Sequence, residues 1–173
     1  MHRQNDGEFS APDYSCARCL AARRIYNRQC TSRQKAITQS LNNIGISPTQ
    51  KSKSSVGKKN CYPIGTVAVV NNRNVSFYLL AISEFDEKNK AQSTKEDIKA
   101  ALVSMIDYYD TYGQGADLYL PFIGTGRSRA LLSYQESFDL IKSTLIHHQE
   151  KIQGKIVIMA LPEAISEIQL YKE

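Results

Sequence analysis

Leu118-Tyr119-Leu120-Pro121-Phe122 is an uncharged run, and Ile123-Gly124-Thr125-Gly126-Arg127-Ser128-Arg129 follows it at once. An uncharged run of this length reads as a strand covered on both faces, the kind found in sheets flanked by helices. Ser133-Tyr134-Gln135-Glu136 then carries the S-x-x-E pattern of a capping box, which opens a helix. A strand, a glycine turn and a helix start aim backbone N–H groups at one point. Proteins hold a phosphate or diphosphate this way without a dedicated side chain. Thr125, Arg127, Ser128 and Arg129 bring hydroxyls and cations to the same turn. An anionic nucleotide is the natural guest, although glycines alone are equally compatible with a tight turn that holds nothing. The turn is not a P-loop, because no G-x-x-x-x-G-K-[ST] occurs. It is not a dinucleotide fingerprint either, because Arg129 and Ala130 stand where a third glycine would fall.

The elements around this stretch set the fold class. Ile64–Val70 and Val75–Ile82 are β-rich runs on either side of Asn71-Asn72-Arg73-Asn74, which predicts a hairpin. Ser93-Thr94-Lys95-Glu96 predicts a second capping box, and Ile98, Ala101, Leu102, Met105 and Ile106 repeat at helical spacing behind it. Phe138, Leu140, Ile141, Leu145 and Ile146 give the next helix its apolar side. Lys155–Leu161 reads as a strand, and Pro162-Glu163 starts a last short helix. The order β-β-α-β-α-β-α predicts an α/β fold with helices on the faces of a largely parallel sheet. Ligands of such sheets sit at the carboxyl ends of strands, where the polar loops 83–92 and 123–132 fall.

The first sixty residues are different. They carry eleven Lys/Arg against three Asp/Glu, a balance of +8, whereas residues 61–173 carry eleven against fourteen, a balance of −3. The basic pI therefore belongs to a leader, expected at residues 1–60, and the domain proper is expected at 61–173. Within the leader, residues 32–43 predict a short helix with Ala36, Ile37, Leu41 and Ile44 on one side and Gly45 as its stop, and residues 46–60 read as a linker. A basic leader can tether nucleic acid, and a solvated extension is the plainer alternative. Cys16-x-x-Cys19 is at most half a zinc site, and His147 and His148 are adjacent and distant from it. Reduced thiols are therefore expected and no metal. No apolar run reaches the ~20 residues of a membrane span, and no secretory signal core opens the chain, so a cytoplasmic protein is expected.

Tyr62-Pro63-Ile64-Gly65-Thr66-Val67-Ala68-Val69, then Leu79–Ala91, then Leu120-Pro121-Phe122-Ile123-Gly124-Thr125-Gly126-Arg127 resemble, in order, the macro-like domain of Thoeris anti-phage effectors. The resemblance covers about residues 61–173. It implies a three-layer α/β/α fold with a mixed, largely parallel central sheet. It also implies a pocket for ADP-ribose or an ADP-ribose conjugate, with the diphosphate in the glycine loop. Carried over to this chain, the binding residues are Ile123, Gly124, Thr125, Gly126, Arg127 and Ser128, with Ser83, Asp86 and Lys90 from the facing loop. Taken alone, Asp86, Glu87, Lys88 and Lys90 read equally well as a solvated loop face, and Tyr119 and Phe122 as core. In the Thoeris setting, a partner TIR-domain enzyme makes the signal from NAD, and the macro domain senses it. Self-association is compatible with such a role, and effectors of this kind carry N-terminal transmembrane helices that are not read here. The layout is also similar to macro domains that remove ADP-ribose from carboxylates. Glu84 and Ser128 occupy the positions of their catalytic lysine and aspartate. Glutamate cannot form the amine adduct and serine is a poor general base, so binding is expected rather than turnover, with ADP-ribosyl hydrolysis as the alternative.

Overall fold

The computed structural model describes residues 30–50, 60–86 and 90–169. In chain order the elements are α1 (Cys30–Asn43), β1 (Thr49–Gln50), β2 (Asn60–Cys61), β3 (Val67–Asn72), β4 (Val75–Leu80), β5 (Glu84–Phe85), β6 (Ala91–Gln92), α2 (Lys95–Tyr112), β7 (Leu118–Pro121), α3 (Tyr134–His147), a 3-10 turn (Gln149–Lys151), β8 (Ile156–Met159) and α4 (Pro162–Glu167). The predicted order from the hairpin onward is therefore present. Among the described residues the strands form four separate pairs, β3–β4 antiparallel, β7–β8 parallel, and the two-residue ladders β1–β2 and β5–β6. The architecture is mixed α/β.

Side-chain chemistry accounts for the boundaries. In α1, Leu41 is buried, Ala36, Ile37 and Ile44 are half-buried, and Gly45 at φ 72° ends the helix in the left-handed region that only glycine enters cheaply. The leader is thus not all solvated. Helix α1 lies on β3, where the Ser40 hydroxyl accepts a hydrogen bond from Val69 N–H at 2.7 Å. A hydroxyl satisfying a strand N–H blunts that backbone position as a sheet edge. Most of the expected 46–60 linker, residues 51–59, lies outside the described residues, as does Cys16-x-x-Cys19. Its two ends pair as β1 and β2.

The capping box of α2 sits one residue later than the sequence pattern suggests. Thr94 is the N-cap: its hydroxyl accepts from Asp97 N–H at 3.1 Å, and the Asp97 carboxylate accepts from Thr94 N–H at 2.8 Å. The Ser93 hydroxyl is instead turned to the preceding strand end, where it donates to the Ile82 carbonyl at 2.7 Å. Ile98, Ala101, Leu102, Met105, Ile106 and Tyr109 form the buried stripe of α2. Helix α3 opens on the expected box of Ser133 and Glu136. The Ser133 N–H and hydroxyl both donate to Glu136, which holds that carboxyl below its usual range. One core, from Val67 and Leu80 through α2 to Leu120, Ile123, Leu140, Ile141 and Ala164, joins the hairpin to the parallel pair.

Strand β7 corrects one expectation. Leu120 is 4% exposed but Tyr119 is 60% exposed, so one face of β7 is covered and the other is open. The lack of charge in 118–122 does not report two-sided burial here. A tyrosine tolerates water on one side, because its hydroxyl remains solvated.

Candidate functional site

The glycine loop runs from Phe122 to Ser133, so α3 begins eight residues beyond Gly126 rather than directly at the turn. The first turn of α3 is occupied by its own capping box. A guest at this turn would therefore face the loop backbone and its flanking side chains rather than a helix end. Gly124 has φ 91°, a conformation that favours glycine, and a Cβ there would lie 2.7 Å from Leu132 Cδ1, so the leucine would also have to move aside. The loop closes on itself through Leu132 N–H to the Gly124 carbonyl at 3.3 Å and Arg129 N–H to the Gly126 carbonyl at 3.1 Å. Arg129 and Leu131 also have positive φ, 60° and 56°, which costs about 1 kcal/mol or more per non-glycine residue.

This folding leaves a run of donors. Among the described residues, the N–H groups of Gly124, Thr125, Gly126, Arg127 and Ser128 donate to no protein acceptor. A Cβ built on Gly126 would meet nothing within 4 Å, so the space over the middle of the loop is open. Arg127 and Arg129 are exposed and make no ion pair among the described residues. Ser128 is 8% exposed, and its hydroxyl has no hydrogen-bond partner. An orphaned buried hydroxyl costs about 1–3 kcal/mol of desolvation. Unpaired donors, flanking guanidinium groups and an open approach are what a phosphate or diphosphate needs. The residues fit such a group.

The Ser128 hydroxyl makes a two-sided prediction. Ser128→Ala is expected to raise the melting temperature of the free protein by about 2–4 °C, because about 1 kcal/mol of unmet desolvation is removed. The same variant is expected to loosen an anionic ligand roughly tenfold. Calorimetric melting and titration of the purified variant check both. A lower melting temperature with unchanged ligand affinity would mean that the hydroxyl serves the fold alone.

The 83–92 loop is less of a loop than its composition suggests. Strands β5 and β6 pair across it, and the Asp86 N–H donates to the Lys90 carbonyl at 2.9 Å. The Asp86 carboxylate accepts from Lys90 N–H at 2.8 Å and from the Gln92 side-chain amide at 3.4 Å. Asp86 therefore ties the two sides of the hairpin together. Lys90 is exposed and Ser83 half-buried. No hydrogen bond or ion pair joins Ser83, Asp86 or Lys90 to the 123–128 group among the described residues. A shallow hollow of about 320 Å³ beside this hairpin is lined by Ile64, Glu84, Gln92, Ser93, Thr94 and Asp97. It includes Glu84 but none of the glycine-loop residues. Asp97 and the Thr94 hydroxyl there already serve the α2 cap. Among the described residues no cluster of His, Cys, Asp and Glu is arranged to hold a metal ion.

Phe122 is 7% exposed and packs against Phe138 edge-on at 6.5 Å and Tyr134 at 6.0 Å, so it is core, as its sequence context suggests. Ser137 was not legible as a functional residue. Its hydroxyl donates to the Ile123 carbonyl at 2.7 Å and accepts from Ile123 N–H at 3.2 Å, at the point where β7 gives way to the glycine loop. The available signal was a serine on the otherwise apolar stripe of α3 with Leu140, Ile141 and Thr144.

Among known proteins, a family model described as the macro domain of the Thoeris protein ThsA matches residues 19–160. That span includes α1, β3–β4, α2, β7, the glycine loop, α3 and β8. No curated protein matches the chain. No helix among the described residues is long and apolar enough to cross a membrane.

Proposed function

The chain belongs to the Thoeris ThsA macro-domain family of anti-phage defence proteins, and from that premise we propose that it is a sensor that binds an ADP-ribose-derived nucleotide. The observation that carries this reading is the glycine loop, with five consecutive N–H groups lacking protein acceptors and the buried, unpartnered Ser128 hydroxyl beside them. Gly124, Thr125, Gly126, Arg127 and Ser128 hold the diphosphate in this reading, and Ile123, whose N–H and carbonyl are both engaged by Ser137, anchors the start of the loop. Ser83 and Lys90 close the site from the β5–β6 hairpin, whose two sides Asp86 ties together. The signal is made from NAD by a TIR-domain partner, and its arrival activates the effector, with self-association as part of that response. The nucleotide-binding unit comprises residues 61–173 in the three-layer arrangement of macro domains, with α1 bracing β3 from the preceding segment.

The chain is read as a binder rather than a hydrolase. Glu84 is exposed and Ser128 is a hydroxyl, so neither residue supplies an amine or a carboxylate base in the place where turnover would need one.

ADP-ribose is expected to raise the melting temperature, by mass action on the folded state. At a hundredfold excess over Kd the stabilisation is about 2.7 kcal/mol, or roughly 5–10 °C for a chain of this size. Differential scanning fluorimetry with ADP-ribose and its conjugates measures it. No shift with any of them at millimolar concentration removes the sensor reading. Release of free ADP-ribose from acetyl-ADP-ribose, if lost in Glu84→Ala, would establish the hydrolase instead.

A further inference from the structure

We propose that Ser137 is a positioning residue for the glycine loop, holding its first residue in register so that the loop's N–H groups point outward together. The inference rests on the reading of that loop as the nucleotide cradle. Hydroxyls inside helices ordinarily donate back to their own helix, four residues earlier. In this chain Thr38 donates to Gln34, Ser104 to Ala100, Thr111 to Asp107 and Thr144 to Leu140, each through the carbonyl one turn back. Ser137 departs from this habit. It is fully buried, and its hydroxyl leaves the helix to engage both backbone groups of Ile123.

Ile123 is the residue immediately before Gly124, whose φ of 91° begins the turn. Ile123 lies two residues beyond the β7–β8 ladder, which ends at Pro121 and Met159, so its N–H and carbonyl have no ladder partner. Without Ser137, both would be buried polar groups lacking a partner, at about 1–3 kcal/mol each. One hydroxyl satisfies both and so fixes the orientation of the peptide units that lead into the loop. Ser137 is fixed in its turn. Its N–H donates to the Ser133 carbonyl at 3.0 Å, and Ser133 is held by Glu136. A line of hydrogen bonds thus runs from the α3 capping box to Ser137, to Ile123 and into the cradle. At the far end, Leu132 packs on Gly124 and donates to its carbonyl, so residues 125–128 are suspended between two anchored points.

The test compares Ser137→Ala with Thr144→Ala, which removes a similarly buried hydroxyl from the same helix but one that bonds only within it. Amide hydrogen exchange of the free protein is read at Ile123, whose N–H donates to Ser137, and ADP-ribose affinity is then titrated. Ser137→Ala is expected to speed exchange at Ile123 and to weaken ADP-ribose roughly tenfold, the worth of one hydrogen bond. Thr144→Ala is expected to do neither. Ser137→Thr, which keeps the hydroxyl, is expected to restore slow exchange. If Ser137→Ala does not fold, Ser137→Cys takes its place, with a weaker donor and acceptor and a smaller change of the same sign. Unchanged exchange at Ile123 overturns the proposal, and so does faster exchange with undiminished ADP-ribose affinity. Faster exchange in a protein that binds no ADP-ribose in any form supports the positioning role and removes the sensor reading instead.

Discussion

Gly126→Glu is expected to abolish the ADP-ribose-induced thermal shift while leaving the melting temperature of the free protein where it was. The two halves of this outcome have separate causes. A Cβ at Gly126 meets nothing within 4 Å, the residue is exposed and its φ is not positive, so the free protein accommodates a side chain. The new carboxylate, however, projects into the space the diphosphate would fill, between Thr125 and Arg127. At about 5 Å and an effective dielectric of about 20, each phosphate charge would be repelled by about 3 kcal/mol, more than a hundredfold in affinity. The carboxylate also competes for the N–H groups and for the Arg127 and Arg129 guanidiniums. Scanning fluorimetry of wild type and variant, with and without ADP-ribose, separates the effects. A preserved shift in the variant would place the nucleotide elsewhere on the protein. A fall in the melting temperature without ligand would show that the open space above Gly126 is used by the fold.

Gly154→Ala is expected to cost about 3 kcal/mol of stability, seen as a drop of about 10 °C in the melting temperature. Gly154 N–H donates to the Tyr109 hydroxyl at 3.1 Å, and that hydroxyl donates to the Ala116 carbonyl at 2.5 Å. Tyr109 is only 4% exposed. One phenol thus ties the end of α2, the 113–116 loop and the approach to β8 together. A Cβ on Gly154 would lie 2.5 Å from that hydroxyl and 2.6 Å from the Gly115 carbonyl, with the Ala116 carbonyl crowded as well. Two of the three obstacles are backbone, so the side chain cannot simply swing aside. Either the loop shifts or the Tyr109 hydrogen bonds break, and a broken bond leaves buried polar groups unmet. Thermal unfolding of Gly154→Ala beside Gly126→Ala, which adds the same methyl in open space, measures the difference. Two variants within about 3 °C of one another would show that the 113–116 loop yields freely.

The two glycines illustrate what a sequence displays and what it hides. Gly124-Thr125-Gly126 announces itself through its neighbours: a strand before it, cations and hydroxyls beside it, a capped helix after it. Gly154 has no such context and reads only as the end of a helical unit, because the tyrosine it must accommodate is 45 positions away. The same contrast holds for the serines. Ser133 is recognisable because its partner Glu136 is three residues along, and Ser137 is not, because Ile123 is fourteen residues back across a turn. Between Ser93 and Thr94 the pattern alone cannot choose the cap. In the packed chain the Ser93 hydroxyl turns to the Ile82 carbonyl and Thr94 takes the cap.

Local information therefore determines the elements of this protein. The 3.6-residue period of α2 and α3, their capping boxes, the hairpin turn at Arg73-Asn74 and the glycine loop each follow from interactions within a few residues, which any stretch of chain carries with it. The three sequence blocks that resemble the Thoeris macro-like domains are of the same kind, and all three lie within the matched span 19–160. Tertiary structure decided the rest. It put α1 of the basic leader against β3 through Ser40 and left Tyr119 open on one face of β7. It also isolated the Ser128 hydroxyl and gave Ser137 to Ile123. Each of these is a buried polar group, or an exposed apolar one, whose partner or absence of partner is set by segments far apart in sequence. Satisfying buried hydrogen-bonding groups is a requirement on the whole packed chain, and only the packed chain shows where it is met.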